Sequence, residues 1–74
     1  MTRESFLLLL DELLEFPAGT LKGPEQLEEL ERWDSLATVG FIAMANEYYD
    51  VTLSPRQIAA STSVDELLAL LPLS

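Results

Sequence analysis

Cysteine and histidine are both absent from this sequence of 74 residues. The chain therefore has no disulfide, no thiolate nucleophile and none of the usual nitrogen or sulfur ligands of metal sites. The chain also lacks histidine, the base that most often activates a nucleophilic side chain in enzymes. A chain of this length buries only a thin core. We therefore expect a single domain over residues 1–74, with no metal site and no catalytic apparatus.

Basic residues are scarce, since 4 Lys and Arg stand against 13 Asp and Glu, which gives a formal net charge of −9. Such a surface repels nucleic-acid phosphates and anionic lipids and attracts basic protein partners, although acidity can also serve solubility alone. Long apolar runs are missing too, because Phe6–Leu10 is far shorter than the ~20 residues that span a bilayer. We expect a cytoplasmic monomer that neither inserts into membranes nor binds nucleic acid.

Apolar residues recur at helical spacing near the start of the chain, and no segment alternates as a β-strand does. A first helix is predicted from about Thr2, a suitable N-cap, to Glu15, before the helix-terminating Pro17 and Gly19. Its inward face is Phe6, Leu9, Leu10, Leu13 and Leu14. Its outward face carries the acidic residues Glu4, Asp11, Glu12 and Glu15.

Residues 17–34, here called the connector, follow this helix and are rich in proline, glycine and acidic side chains. Connections this long are uncommon in compact domains and are often functional. A short helical turn is predicted within Glu25–Leu30. The apolar residues expected to hold the connector against the helices are Leu21, Leu27, Leu30 and Trp33.

Three further helices are predicted after the connector. The second runs from near Ser35 to about Tyr49, with Gly40 as its weak point. Its inner face is Thr38, Phe41, Ile42, Ala45 and Tyr49. The third, Pro55 to about Ala60, and the fourth, Val64 to Leu71, each begin with a capping box, Ser54 with Gln57 and Ser63 with Glu66. The pattern predicts an all-α, antiparallel four-helix bundle with a long first loop and a short third helix.

The triplet Asp34-Ser35-Leu36 stands where the acidic connector enters the second helix. A serine there leaves its hydroxyl at the surface, beside backbone N–H groups that lack helical partners and in a dipole that favours negative charge. A phosphodiester on Ser35 would be stabilised by that field. Such triplets are common, however, and a plain N-cap at Asp34 or Ser35 is the more frequent explanation of one alone.

Further motifs follow the triplet in order: Thr38-Val39, Glu47-Tyr48-Tyr49-Asp50, Leu53-Ser54-Pro55 and Thr62-Ser63-Val64. In order and spacing, over nearly the whole chain, the sequence resembles the acyl carrier protein family. The resemblance implies that a phosphopantetheinyl transferase, using coenzyme A and Mg²⁺, attaches 4′-phosphopantetheine to Ser35. The thiol of that arm would then carry an acyl or aminoacyl group as a thioester. The chain would be no enzyme but the substrate of others, namely the transferase, a loading ligase, and synthases or transferases.

The resemblance also assigns roles around Ser35. Asp34 would orient the transferase, and Leu36 would contact partner enzymes, although core packing is the alternative for Leu36. Trp33 either packs in the core, the more frequent case, or flanks the arm. The other predicted partner contacts are Ala37, Glu28, Glu29, Glu31 and Glu47. A cargo cleft between the second and third helices would be bordered by Val39, Ile42, Ile58 and Ala59, positions that are more often plain core.

The sequence departs from the pattern of fatty-acid carriers just after the serine. Those carriers usually present acidic residues there, whereas this chain has Ala37 and Gly40, and Tyr48 stands where an acid is frequent. The negative charge instead precedes Ser35. This favours a dedicated carrier of a secondary pathway (polyketide, nonribosomal peptide or cell-surface modification) over the carrier of bulk fatty acid synthesis. The alternative function is a non-enzymatic helical interaction module with Ser35 unmodified.

Overall fold

The computed structural model describes residues 2–72, and within that range the chain forms four α-helices and one 3-10 turn. The helices are α1 (Arg3–Leu13), α2 (Ser35–Tyr49), α3 (Pro55–Ala59) and α4 (Val64–Leu68), and the 3-10 turn is Leu27–Glu29. The all-α class, the long first connection and the short third helix are confirmed. None of the helices in this range has both the length and the apolar character needed to cross a bilayer.

Two helices are shorter than predicted. α1 ends at Leu13 because Glu15 adopts a left-handed conformation, with φ of 62°, and so cannot continue the helix. α4 ends at Leu68, not at Leu71. The amides of Leu70 and Leu71 bond carbonyls three residues back, at 3.1 and 3.0 Å, so the last turn tightens before Pro72.

The helix starts follow the capping signals of the sequence. The Thr2 hydroxyl accepts from the Ser5 amide at 3.1 Å, and Ser54 and Gln57 form the predicted reciprocal box. The second predicted box forms only in half, because the Glu66 carboxylate accepts from the Thr62 amide and hydroxyl instead of from the Ser63 amide. These bonds lower the pKa of Glu66 below its ordinary value, and the bond from the Thr62 hydroxyl has the largest effect.

Aromatic rings join α1 to α2 in the core. The rings of Phe6 and Phe41 meet edge to face with centroids 5.8 Å apart, and Trp33 meets Phe41 in the same manner at 6.2 Å. Trp33 is half-buried, so it serves mainly as a core contact that holds the end of the connector. At Gly40 an added Cβ would come within 2.6 Å of Leu13 Cδ1, which shows that this glycine permits the close approach of the two helices.

Asp11 corrects the predicted outer face of α1, because its side chain is only 1% exposed. Its carboxylate accepts one hydrogen bond from the amide of Gly19 and another from the amide of Leu21, both at 2.9 Å. These bonds fold the start of the connector back over α1 and give both oxygens of a buried carboxyl group a hydrogen-bond partner. Asp11 thus acts as an internal anchor for the connector.

The middle of the connector is fastened to the start of α4. The amide of Leu27 bonds the Thr62 carbonyl at 2.9 Å, and the amides of Val64 and Asp65 bond the carbonyls of Glu25 and Gly23 at 3.0 and 2.8 Å. Gly23 has φ of 123°, and an added Cβ there would collide with the side chain of Asp65. We call these backbone bonds the α4 clasp.

Glu25 closes the turn that leads into the α4 clasp. Its two carboxylate oxygens accept from the amides of Lys22 and Gly23, each at 2.8 Å. Partial burial raises the pKa of Glu25, but these backbone bonds and the Lys22 charge outweigh it, so the pKa lies below the ordinary 4.5. Because the folded-state pKa is depressed, the stabilisation is present above the ordinary value and is lost as the pH falls through the lowered one.

Candidate functional site

The start of α2 is built by Asp34, which is its N-cap. One Asp34 carboxylate oxygen accepts from the Ala37 amide at 2.9 Å, while the Asp34 carbonyl accepts from the Thr38 amide at 3.0 Å. Asp34 has extended backbone angles and Ser35 is the first helical residue. The cap therefore fixes where the helix begins, and with it the position of the Ser35 side chain.

Ser35 is exposed at this helix start. Among the hydrogen bonds of residues 2–72, none involves its hydroxyl, and none uses the amides of Ser35 and Leu36 as donors. A phosphodiester on that hydroxyl would lie beside two free N–H groups at the positive end of the helix dipole. The site thus fits a phosphate-linked group, and its hydroxyl is open to another protein.

The residues after Ser35 differ sharply in exposure. Leu36 is 78% exposed and Val39, on the next turn of the same face, is 62% exposed. Large apolar side chains with this exposure are available to a partner protein. Ala37 is only 5% exposed and belongs to the core, so its side chain does not offer the partner contact that the sequence predicted. Which residues of α2 are exposed depends on which side of this helix packs against α1 and the rest of the core. Ala37 lies on the side that faces the core.

Two of the four residues predicted to border a cargo cleft line a groove of the structure. A groove of about 360 Å³ runs between the connector and α3, and Ile58 and Ala59 line it together with Trp33 and Thr38. Val39 and Ile42, the other two residues of the predicted border, do not line this groove. Thr38 lies one helical turn from Ser35, so the groove opens near the serine.

Acidic side chains lie on the connector before Ser35 and near the far end of α2. Glu28, Glu29 and Glu31 are exposed on the connector, and Glu28 lines the groove just described. Glu47 is exposed near the far end of α2, 12 positions after Ser35 or about 18 Å along the helix axis. The structure therefore separates Glu47 from Ser35 by most of the length of α2.

Arg32 and Glu15 were not singled out from the sequence, yet they form an ion pair close to the two chain neighbours of Ser35. Arg32 Nη1 donates to Glu15 Oε2 at 2.6 Å. The pair lines a pocket of about 210 Å³ with Asp34 and Leu36, the two neighbours of Ser35. The only sequence signal was an arginine three residues before Ser35, because the two partners lie 17 positions apart.

A small helical bundle with a long first connection and an exposed serine at the start of its second helix has the architecture of a carrier domain. Residues 6–71 match the family described as "Phosphopantetheine attachment site", so the chain belongs to this phosphopantetheine-binding family. No curated protein and no solved structure gives a significant match to the chain.

Family membership confirms the resemblance drawn from the ordered motifs. Proteins of this family carry covalently attached 4′-phosphopantetheine. They are not enzymes but the substrates of other enzymes, among them phosphopantetheinyl transferases and synthases. The absence of cysteine is understandable in such a protein, because the reactive sulfur belongs to the cofactor.

Proposed function

We propose that Ser35 is the attachment residue, and that the chain carries an acyl or aminoacyl group as a thioester between the enzymes of a specialised pathway. The observation that carries the proposal is the exposed Ser35 hydroxyl at the first position of α2, inside the segment that matches the family. The partners are a phosphopantetheinyl transferase, a ligase that loads the cargo, and the synthases or transferases that use it.

The placement of the neighbouring residues supports a role for each of them in this function. Asp34 fixes the start of α2 and remains exposed, so it can orient the transferase. Leu36 supplies an apolar contact next to the serine. The uncharged first turns of α2 set the chain apart from carriers that present acids there. They support a dedicated pathway, while the connector acids supply charge for docking.

Intact-mass measurement tests the attachment. The purified chain is incubated with coenzyme A, Mg²⁺ and a transferase of broad specificity, and it is expected to gain the mass of one phosphopantetheine group. Omission of coenzyme A is the control. An unchanged mass with several different transferases would reject the proposal and favour the alternative, an interaction module with an unmodified serine.

Charge reversal on the connector is expected to slow attachment more than charge reversal at the end of α2. Glu47 lies about 18 Å along α2 from Ser35, which exceeds the Debye length of about 8–10 Å at ordinary ionic strength. Glu28 lines the groove near Ser35 and belongs to the connector acids. We therefore expect Glu28→Lys and Glu29→Lys each to lower kcat/KM for the transferase about threefold, and Glu47→Lys less than twofold.

The salt dependence separates charge from folding in this comparison. The differences should shrink as the ionic strength rises, because screening weakens steering between exposed charges. Circular dichroism spectra of the three variants should coincide with that of the unchanged chain. Equal slowing by all three variants, or the largest slowing by Glu47→Lys, would contradict a docking role for the connector.

A further inference from the structure

Arg32 is the basic residue nearest to Ser35 along the chain, three positions before it. The sequence has only 4 basic residues, and the others stand elsewhere: Arg3 pairs with Asp65, Lys22 lies earlier in the connector and Arg56 belongs to α3. Arg32 shares its pocket with both neighbours of Ser35. One of the four cations of the chain thus lies in the pocket that the two neighbours of Ser35 also line.

The ion pair between Arg32 and Glu15 is weak. The side chains of Arg32 and Glu15 are 53% and 76% exposed, and ion pairs this open to water contribute little or nothing measurable to stability. One guanidinium nitrogen meets one carboxylate oxygen, which leaves the fork of Arg32 only partly used. Glu15 can therefore be exchanged for a better anion at small cost.

A phosphodiester on Ser35 would be such an anion. It would add a negative charge next to the exposed Asp34 carboxylate, in a chain whose net charge is already −9. Its two free oxygens match the planar guanidinium, which binds phosphate in a two-pronged manner. The two free amides at the start of α2 would meet the same oxygens from the helix side.

We propose that Arg32 binds the phosphodiester of the attached arm and gives up Glu15 to do so. The proposal rests on attachment at Ser35, as given under Proposed function. It assigns Arg32 a phosphate-binding role and Glu15 the role of holding that arginine in place before attachment.

A comparison of unfolding before and after attachment tests the role of Arg32. Each chain is converted fully with excess transferase, conversion is checked by intact mass, and urea unfolding is measured for both forms. For each chain, the measurement gives the ratio of the folding equilibrium constant after attachment to that before it. We expect this ratio to be about twofold to fivefold smaller in Arg32→Gln than in the unchanged chain. Arg56→Gln, a matched loss of an exposed arginine, should behave as the unchanged chain does.

Phosphorus NMR gives a direct second readout on the same samples. The phosphodiester resonance of Arg32→Gln should be displaced from that of the unchanged chain, whereas that of Arg56→Gln should coincide with it. Glu15→Gln removes the carboxylate that competes with the phosphodiester for the Arg32 guanidinium. The phosphodiester resonance of Glu15→Gln should therefore move in the direction opposite to that of Arg32→Gln.

The outcomes distinguish this proposal from the one on which it rests. If the unchanged chain gains no phosphopantetheine, attachment itself fails and both proposals fall. If the chain is modified but Arg32→Gln and Arg56→Gln agree in either readout, attachment stands and the role of Arg32 is overturned.

Discussion

Replacing Ser35 by alanine is expected to abolish the gain in mass on incubation with transferase and coenzyme A, with the fold unchanged. The loss should be complete because the hydroxyl oxygen is the atom that would attack the coenzyme's phosphate. The helix should survive because its cap is the Asp34 carboxylate, which bonds the Ala37 amide, and not the Ser35 side chain. Alanine is also a good residue for a first helical turn.

Ser5→Ala is a matched control for this loss, since Ser5 is an exposed serine in the first turn of α1. That variant should be modified at the rate of the unchanged chain. Far-ultraviolet circular dichroism should give the same helix content for both variants. A gain in mass that persists in Ser35→Ala would place the attachment on a different residue.

Replacing Asp11 by asparagine is expected to lower the free energy of unfolding by about 1–3 kcal/mol, because one of the two amides that bond this buried carboxylate loses its acceptor. The residue is 1% exposed, and both oxygens accept hydrogen bonds, from Gly19 and Leu21. Asparagine keeps the shape but turns one acceptor into an NH₂ group that faces another donor. A domain of this size has a total stability of roughly 4–11 kcal/mol, so the loss is a large share of it.

Glu12→Gln is the control for Asp11→Asn, because Glu12 is the adjacent acid on α1 and is exposed. A surface change of that kind should stay within about 0.5 kcal/mol. Urea unfolding followed by circular dichroism measures both variants. If the two variants lose equal stability, the bonds from Asp11 to the connector do not stabilise the fold.

The start of α2 could be predicted to within about one residue because its signals are local. An acidic cap, a helix-compatible run and the absence of proline all lie within a few positions of Ser35. The capping pair Ser54 and Gln57 was predictable for the same reason. The order of motifs along the chain then supplied the family, which no single triplet could establish.

The burial of Asp11 depends on atoms that are distant in sequence, and hydropathy alone therefore placed it outside. One signal was present: Asp11 stands four positions after Leu7 and three before Leu14, both buried, and so lies on the apolar stripe of α1. The predicted border of the cargo cleft and the lining of the groove coincide only in Ile58 and Ala59, for a related reason. Which residues of α2 face α3 depends on the packing of the connector, and this packing leaves Val39 in solvent.

The α4 clasp also bears on how the protein is made. It joins residues 23–27 to residues 62–65, from opposite halves of the chain, so closing it requires a long loop to form. Contacts of such high sequence separation slow folding relative to bundles held by neighbouring helices. During synthesis, the segment that leads to Ser35 gains its final anchorage only after α4 has emerged from the ribosome. A transferase that needs the connector in place must therefore act after translation of that helix and not on the nascent amino-terminal half.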